Sequence, residues 1–450
     1  MDIFADGTYE NAIETDASYN QLFYFSEWSP EYVGMIFECD LPEIDVELFK
    51  SAIRKLVERH EILRTVFHRA DGRLIQKVIP ARDFGFEVTI HDVVVSDEEM
   101  ALIIRKERTK VFKTDDKCFF FPRIYRLRKG GYKILFVLHH ALTDAYSADI
   151  FRQELTQLYI SILKRESSGL PGVPVQYREF AKWQRNFLQS PDGQRHKEYW
   201  IDLIKGFDPT VKFFPPGQIG GLLGGDCIFF SRVIDGDLYE EVIRFSRKNG
   251  LTRAALLMGL LSLLIHLLNK KDDITLIVSV SGRDSKYYGP LNIEGSIGCF
   301  ANALFIRNRV ISHMSVVAYL KKVQQNFVSG LNFGCYPVTK LLGELPGVTP
   351  SAEFLESIAY FNYHNYRFLK ESTYTTVETE REGWKEGVEP GRCHFGLVIF
   401  EHKNCLKLSY RLRQDIFDEK RARDVSELQF SMLNNLLRRP ELLIHELSRQ

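Results

Sequence analysis

Two adjacent histidines, His139 and His140, precede a carboxylate, Asp144, in the segment HHALTDAYS. Imidazole changes its charge near physiological pH, so a histidine at the wall of a cleft can take or deliver a proton during a reaction. A carboxylate four residues after His140 can orient backbone or pair with a distant cation. These residue types, at this spacing, suit acid–base chemistry on a bound substrate.

Spacing alone leaves three interpretations of the histidine pair open, because neighbouring histidines also occur as structural side chains and as parts of metal sites. Zinc is disfavoured, since the sequence contains no HExxH segment and no third ligand at a familiar spacing. A structural role and a catalytic role both remain.

The elements around the histidines set their directions. Residues 132–138 (YKILFVL) are nearly all apolar, which is typical of a strand buried on both faces. Neighbouring side chains of an extended chain point to opposite sides, so we expect one histidine to face the core and the other a cleft. A helix is predicted from about Ser147, which suits an N-cap as well as a site residue. Its apolar face comprises Phe151, Leu155, Leu158 and Ile162.

The remaining chain alternates between helical and extended patterns. Helices are predicted over residues 45–59, 177–187, 196–203, 252–269, 316–331 and 419–438. Strands are predicted over residues 74–79, 86–90, 227–234, 274–280, 357–363 and 394–412. The order predicts a mixed α/β protein of two lobes of comparable build, with a Gly/Pro-rich linker over residues 215–225.

Composition excludes several classes of partner. The chain has 59 basic and 59 acidic residues, so its formal net charge of zero argues against nucleic-acid binding. It has no long single-sign run, no signal-peptide pattern at its N-terminus, and its longest apolar stretch, residues 254–268, is short for a membrane span. Seven scattered cysteines without a CxxC pair favour reduced thiols in a cytoplasmic protein.

HHALTDAYS resembles the HHxxxDG motif of nonribosomal peptide synthetase condensation domains, which belong to the chloramphenicol acetyltransferase-like superfamily. Residues 59–67 (RHEILRTVF) match that family's RHExLRTxF run at every specified position, and residues 177–183 are similar to its YxDYAxW motif. Residues 297–307 resemble IGxFxNTxxxR, with Ala303 in place of Thr. Tyr336-Pro337 and residues 361–363 are similar to two later motifs, so the ordered set extends from about Ser18 to the end.

This resemblance implies a fold and an activity. The implied α/β fold has two acetyltransferase-like lobes in a V-shaped pseudo-dimer with a central tunnel. Residues 1–180 would form the lobe with HHxxxD, and residues 181–450 the lobe with the SGR (281–283) and GxFxN segments. An acyl or aminoacyl thioester on the phosphopantetheine arm of a carrier protein would react with an amine, free or carrier-bound, to form an amide. No cofactor or metal bound by the chain itself, no nucleic-acid or membrane partner, and a monomer are implied.

The resemblance also assigns residues. His140 would be the catalytic histidine, as base or as the group that orients the nucleophile, with His139 and Asp144 completing the motif. Asp144 would form a buried salt bridge, with Arg283 as its first-choice partner and Arg64 as its second. The backbone of Ala145 and the side chains of Tyr146 and Ser147 would border the site. Expected tunnel residues are Phe300, Asn302 and Tyr336.

The sequence departs from the family pattern in two places. Ala145 stands where the family has Gly. Ser18 and Gln21 of an early SxAQxRLW-like motif remain, but Phe23-Tyr24-Phe25 replaces Arg-Leu-Trp, which leaves donor, acceptor and subtype open. Two alternatives stay open: an acyltransferase that makes an ester or amide from a coenzyme A or carrier thioester, and a non-catalytic platform that docks carriers. Met1 and a helix ending near Gln450 favour a free-standing protein.

Overall fold

The computed structural model describes residues 11–26, 29, 34–108, 110–206, 226–283, 288, 291–345, 355, 358–365, 387–390 and 394–447. The linker expected over residues 215–225 lies outside these residues. Contacts group the chain into two compact units, one holding the described residues up to Gln194 together with Ser281–Ala301, the other holding the remainder. This grouping differs from the sequence division at residue 180, which stays a prediction about the family's lobes.

The first unit contains a three-stranded sheet, in the order β1-β4-β3, and a four-stranded sheet, in the order β2-β7-β6-β5. Only the β5–β6 pair in these sheets is parallel. The elements are β1 (Ile13–Asp16), α1 (Tyr19–Phe23), β2 (Gly34–Leu41), α2 (Val46–Arg59), β3 (Thr65–Ala70), β4 (Arg73–Val78), β5 (Thr89–Val95), α3 (Asp97–Arg108), β6 (Phe120–Leu127), β7 (Tyr132–His139), α4 (Ala145–Lys164) and α5 (Tyr177–Leu188).

Strand β7 ends at His139 and leads directly into the turn that carries His140. It lies inside its sheet, between β2 and β6, and its residues from Ile134 to Leu138 are at most 2% exposed. A strand hydrogen-bonded on both edges and buried on both faces has little freedom to move. Helix α4 follows it after one turn and packs on α2.

The second unit is built on a seven-stranded sheet in the order β10-β9-β11-β13-β14-β8-β12. Strand β11 is parallel to both of its neighbours, and the other pairs are antiparallel. The elements are α6 (Pro191–Ile204), β8 (Asp226–Ile234), α7 (Gly236–Asn249), α8 (Arg253–Asn269), β9 (Asp273–Val280), β10 (Asn302–Arg309), α9 (Val316–Asn332), α10 (Val338–Leu342), β11 (Ala359–Asn365), β12 (Gly387–Pro390), β13 (Phe395–Glu401), β14 (Leu406–Arg413) and α11 (Glu419–Arg438).

Several elements differ from their predicted bounds. The stretch 394–412 forms two strands, β13 and β14, which pair antiparallel around a short turn. Strand β5 begins at Thr89 rather than at residue 86, because its pairing with β6 starts at Thr89 and Arg123. Helix α7 was not anticipated, although its buried face is formed by residues at helical spacing: Tyr239, Val242, Ile243 and Ser246.

Helix α8 is the most apolar helix of the second unit, and its residues from Ala255 to Ile265 are buried. No single helix in the described ranges is long and apolar enough to cross a membrane; α7 and α8 reach that composition only when counted together across a 97° bend. The six cysteines that the structure describes are free thiols. Within the same residues, no three His, Cys, Asp or Glu side chains gather as a metal site requires.

Candidate active site

The two histidines at the end of β7 differ in burial. His139 closes the strand and is 1% exposed. The chain then enters a 3-10 turn over His140–Leu142, in which His140 is partly exposed. One imidazole therefore lies in the core and the other is partly exposed, and the turn rather than strand alternation sets the direction of His140.

Hydrogen bonds assign opposite tautomers to the two rings. Nδ1 of His139 accepts from the Ala141 N–H at 3.1 Å, so the hydrogen of its neutral ring is on Nε2. Nδ1 of His140 lies 3.0 Å from the carbonyl oxygen of Thr143, which can only accept, so here Nδ1 carries the hydrogen. The basic nitrogen of His140 is Nε2, and it lies 3.2 Å from the hydroxyl of Tyr24.

Aromatic rings enclose His139. The Phe25 ring stacks on it with centroids 4.6 Å apart, and Phe112 and Phe119 make edge contacts at 5.2 and 5.5 Å. These contacts, with the bond to Ala141, fix the ring at the base of the turn that carries His140.

Asp144 is the N-cap of α4 and accepts from several donors at once. Its carboxylate accepts from the backbone N–H groups of Ser147, Phe300 and Ala301 at 2.7, 3.0 and 3.2 Å. A guanidinium nitrogen of Arg283 lies 3.0 and 3.3 Å from its two oxygens. The side chains of the pair are 3% and 4% exposed, so this is a buried, fully hydrogen-bonded carboxylate.

Arg283 is held on several sides. Its second terminal nitrogen donates to the carbonyls of Ile293 and Ser296, both at 2.9 Å. The guanidinium also lies 4.6 Å from the ring centre of Tyr146 and 4.3 Å from that of Phe300, within the range of cation–π contacts. The segment from Ser281 to Ala301 is thereby attached to the start of α4.

Ser147 is the third residue of α4 rather than its N-cap, which is Asp144. Its hydroxyl donates to the Gly298 carbonyl at 2.8 Å and accepts from the Gly298 N–H and from Arg283, at 3.0 and 2.8 Å. A hydroxyl has one hydrogen and two lone pairs, so Ser147 has no hydrogen-bonding capacity left for a substrate.

Phe300 does not line an open surface. It is fully buried and packs edge-on against Tyr177 and Phe180, with centroids 5.0 and 4.8 Å apart. Its expected place in a substrate tunnel is therefore corrected to a core contact that supports Arg283.

Arg64, the second-choice partner for Asp144, is engaged elsewhere. It donates to the carbonyl of Ile79. Burial lowers the pKa of its guanidinium, and the nearby Glu61 carboxylate offsets part of that effect. The cation against Asp144 is Arg283.

Ala145 and Tyr146 are the first two residues of α4. Ala145 is not among the described residues with positive φ, so a methyl side chain fits where the family has glycine. The Tyr146 side chain is 46% exposed, with its ring against Arg283.

Asn302 and Tyr336 lie in the second unit and contact each other. The Asn302 amide donates to the carbonyls of Gly334 and Tyr336, both at 2.9 Å, and its oxygen accepts from the Val338 N–H at 3.0 Å. The Tyr336 hydroxyl donates to Glu344. Asn302 therefore acts as a structural amide that holds the start of α10.

Sequence reasoning did not assign the RHE segment a place. The buried His60 and the neighbouring Arg59 both bond Glu154 of α4, at 2.6 and 2.7 Å, and Glu61 pairs with Arg178 of α5 at 2.7 Å. Burial raises the pKa of Glu154, but hydrogen bonds from His60 and Arg59 outweigh it and lower the pKa overall. The motif thus ties the end of α2 to α4 and α5.

The early motif beside α1 also has a structural role that its degraded sequence concealed. The Ser18 hydroxyl bonds the Tyr177 hydroxyl at 2.8 Å, which donates to the Cys299 carbonyl at 2.7 Å. The Asn20 amide donates to the carbonyls of Phe300 and Ala301. These hydrogen bonds fix residues 299–301, which include the two backbone N–H donors, Phe300 and Ala301, to Asp144.

A family model described as "Condensation domain" matches residues 35–449 of the chain. Enniatin synthase of Fusarium equiseti is 26% identical over 411 residues, which cover 89% of this chain and 13% of the relative. The chain thus spans about an eighth of the length of that relative.

Solved structures show the same fold. The crystal structure of the X-domain from teicoplanin biosynthesis is 16% identical with a TM-score of 0.79 and covers 98% of each chain. The condensation domain of the monacolin K polyketide synthase is 17% identical with a TM-score of 0.77, covering 96% of this chain and 99% of that one. Condensation domains have the chloramphenicol acetyltransferase-like two-lobe fold and act, with carrier proteins, on substrates held on phosphopantetheine arms. By its sequence and its fold, this chain belongs to the condensation domain family, whose role is peptide-bond formation in nonribosomal peptide synthesis.

Proposed function

We propose that the chain itself catalyses amide formation, with His140 acting on the attacking amine. The observation that carries this proposal is the tautomer of His140. Its Nδ1 hydrogen is bound to the Thr143 carbonyl, so the lone pair is on Nε2 of a partly exposed side chain. A lone pair held in one direction can accept a proton from a nucleophile without first reorienting.

The reaction then proceeds in two steps. The amine nitrogen attacks the thioester carbonyl carbon, and the proton that it loses moves to Nε2 of His140. The tetrahedral intermediate collapses, the carbon–sulfur bond breaks, and the leaving thiolate of the phosphopantetheine arm takes that proton. The backbone N–H of Ala145, at the N-terminus of α4, is our candidate donor to the intermediate's oxyanion.

The other two motif residues support His140 in this proposal. His139 has its Nδ1 lone pair bound to backbone and its ring in the core, so it positions the turn rather than transferring protons. Asp144 is paired with Arg283 and accepts hydrogen bonds from three backbone N–H groups. It therefore fixes the start of α4 against residues 298–301.

We further propose that acyl or peptidyl carrier proteins of a nonribosomal peptide synthetase deliver the donor, that the acceptor is an amine, and that the protein is a cytoplasmic monomer. Because the chain has a formal net charge of zero, we expect carrier proteins to dock on local charged patches rather than to be attracted by the net charge of the whole chain.

The test gives the purified chain an acyl thioester on a phosphopantetheinylated carrier, with panels of amines and alcohols, and measures product by mass spectrometry. We expect amide from the wild type and a loss of about 100- to 10,000-fold in His140→Ala. His68→Ala, at a partly exposed histidine on β3, is the matched control and should retain activity. Equal product from wild type and His140→Ala would refute the proposal. Ester products, or turnover of coenzyme A thioesters, would favour the acyltransferase alternative. Carrier binding without turnover would favour the non-catalytic docking platform.

A further inference from the structure

The Tyr24 side chain contacts the basic nitrogen of His140. Its hydroxyl lies 3.2 Å from Nε2, and its ring stacks on the imidazole with centroids 4.3 Å apart and planes 16° from parallel. The ring thus covers one face of the imidazole while the hydroxyl reaches the atom that would take the proton. Two contacts from one side chain restrict both the plane and the hydrogen bonding of His140.

The direction of the hydrogen bond follows from the other contacts. Nδ1 of His140 holds its hydrogen on the Thr143 carbonyl, so Nε2 can only accept, and the Tyr24 hydroxyl must donate. Tyr24 also interacts with the side chain of Cys299, whose thiol keeps its hydrogen because burial raises its pKa well above the usual value.

Tyr24 is fixed from behind as well. It is the C-cap of α1, and its N–H donates to the Gln21 and Leu22 carbonyls. Gln21 is buried and belongs to the capping box at the start of the same helix. The departure of this chain from the family's Arg-Leu-Trp therefore places a phenol on a short, doubly capped helix.

We propose that Tyr24 is a positioning residue for His140. The Tyr24 ring fixes the plane of the imidazole, and the Tyr24 hydroxyl bonds Nε2 until the nucleophile replaces it. This rests on the proposed function of His140. A hydrogen bond donated to Nε2 exists only while that nitrogen is unprotonated, so it favours the neutral, basic form. Among the described residues, the titratable groups that contact Tyr24 besides His140 are His139 and Cys299. Asp144, four residues after His140, is paired with Arg283.

The experiment compares Tyr24→Phe, which keeps the stacked ring, with Tyr24→Leu, which restores the family residue and removes both contacts. Tyr19→Phe, a hydroxyl deletion on the same helix, is the matched control; its ring lies against Arg185. The first readout is the titration of His140 in ¹⁵N-histidine NMR spectra of the resting protein, assigned with His140→Gln. The second is the pH profile of amide formation.

We expect Tyr24→Phe to raise the pKa of His140 by about half to one unit and to move the acid limb of the pH profile upward equally. Tyr24→Leu should in addition broaden the His140 signals, because the ring loses its stack. An unchanged titration in Tyr24→Phe, or a resting His140 with its hydrogen on Nε2, would overturn the inference. Because the NMR titration needs no turnover, it still decides the inference if the chain proves inactive.

Discussion

At the scale of single residues, Gly298 shows how closely the site is packed. A Cβ at this position would lie 2.0 Å from a ring carbon of Tyr177, and that ring is held by bonds to Ser18 and the Cys299 carbonyl. The ring has no room to move away without breaking these bonds. The glycine of the family's GxFxN segment is therefore required by a side-chain contact and not by backbone conformation.

Gly298→Ala should destabilise the protein by about 1–3 kcal/mol, because an extra methyl group is forced into a filled core. Gly172→Ala is the matched control, since nothing lies within 4 Å of its added Cβ. That control should be neutral or slightly stabilising. Urea unfolding followed by circular dichroism measures both, and equal midpoints for the two variants would contradict the packing argument.

His394 gives the second unit a pH-dependent contribution to stability. Burial and the neighbouring Arg413 guanidinium lower its pKa from the ordinary value of 6.5 to about 4. The unfolded chain therefore binds a proton between these two values while the folded chain does not. Stability from this group is complete at pH 7 and decreases as the pH falls from about 6.5 towards 4.

We expect the wild type to lose about 2 kcal/mol more than His394→Phe between pH 7 and pH 5, from the difference in proton binding. Denaturant unfolding at the two pH values measures the slopes. Between pH 7 and pH 8 the two proteins should change in parallel. Parallel curves down to pH 5 would show that the folded state binds this proton as readily as the unfolded chain.

At the scale of elements, the start of α4 depends on a cap that is also half of a buried ion pair. Helices α4 and α11 are both 20 residues long and both begin after an aspartate, Asp144 and Asp418. Asp418 is exposed and caps only its own helix. Comparing variants of the two aspartates therefore separates the stabilisation by an N-cap from the stabilisation by the buried ion pair.

Asp144→Ala should cost about 3–5 kcal/mol, because it leaves Arg283 buried without its counter-charge. Asp418→Ala should cost about 1 kcal/mol, the usual value of a lost N-cap. Thermal and denaturant unfolding of both variants provide the comparison. Similar losses for the two would mean that Arg283 finds another partner when the carboxylate is removed.

The sequence allowed the elements around the site to be predicted, but not all the contacts between them. Helical periodicity predicted α2 and α11 almost to the residue, because one face of each is buried. The early motif offered no such signal: the stacking of Tyr24 on His140 depends on side-chain directions at the end of a five-residue helix. The burial of Phe300 likewise follows from three-dimensional packing around Arg283, which periodicity does not report.

At the scale of the whole molecule, the chain leaves the second unit after β9, contributes Ser281–Ala301 to the first unit, and returns with β10. This segment supplies Arg283, Gly298 and two of the N–H groups bound to Asp144. The first unit is therefore not complete in its continuous N-terminal part.

We expect residues 1–194, expressed alone, to lack cooperative unfolding, because Asp144 and Ser147 would lose their buried partners. Near-ultraviolet circular dichroism and urea unfolding, with the full chain as control, measure this. A fragment that unfolds cooperatively with a midpoint near that of the full chain would show that the segment 281–301 is dispensable.

The distance along the chain between Asp144 and Arg283 also orders events during synthesis. The two residues are 139 positions apart, and ribosomes add about 5–20 residues per second, so the arginine is made roughly 7 to 28 s after its carboxylate. Throughout that interval β7, which ends at His139, can already pair with its neighbours, while Asp144 at the start of α4 still lacks its partner Arg283. The nascent chain thus completes the buried ion pair at the start of α4 late, and a chaperone that binds this part of the chain would have its opportunity in this interval.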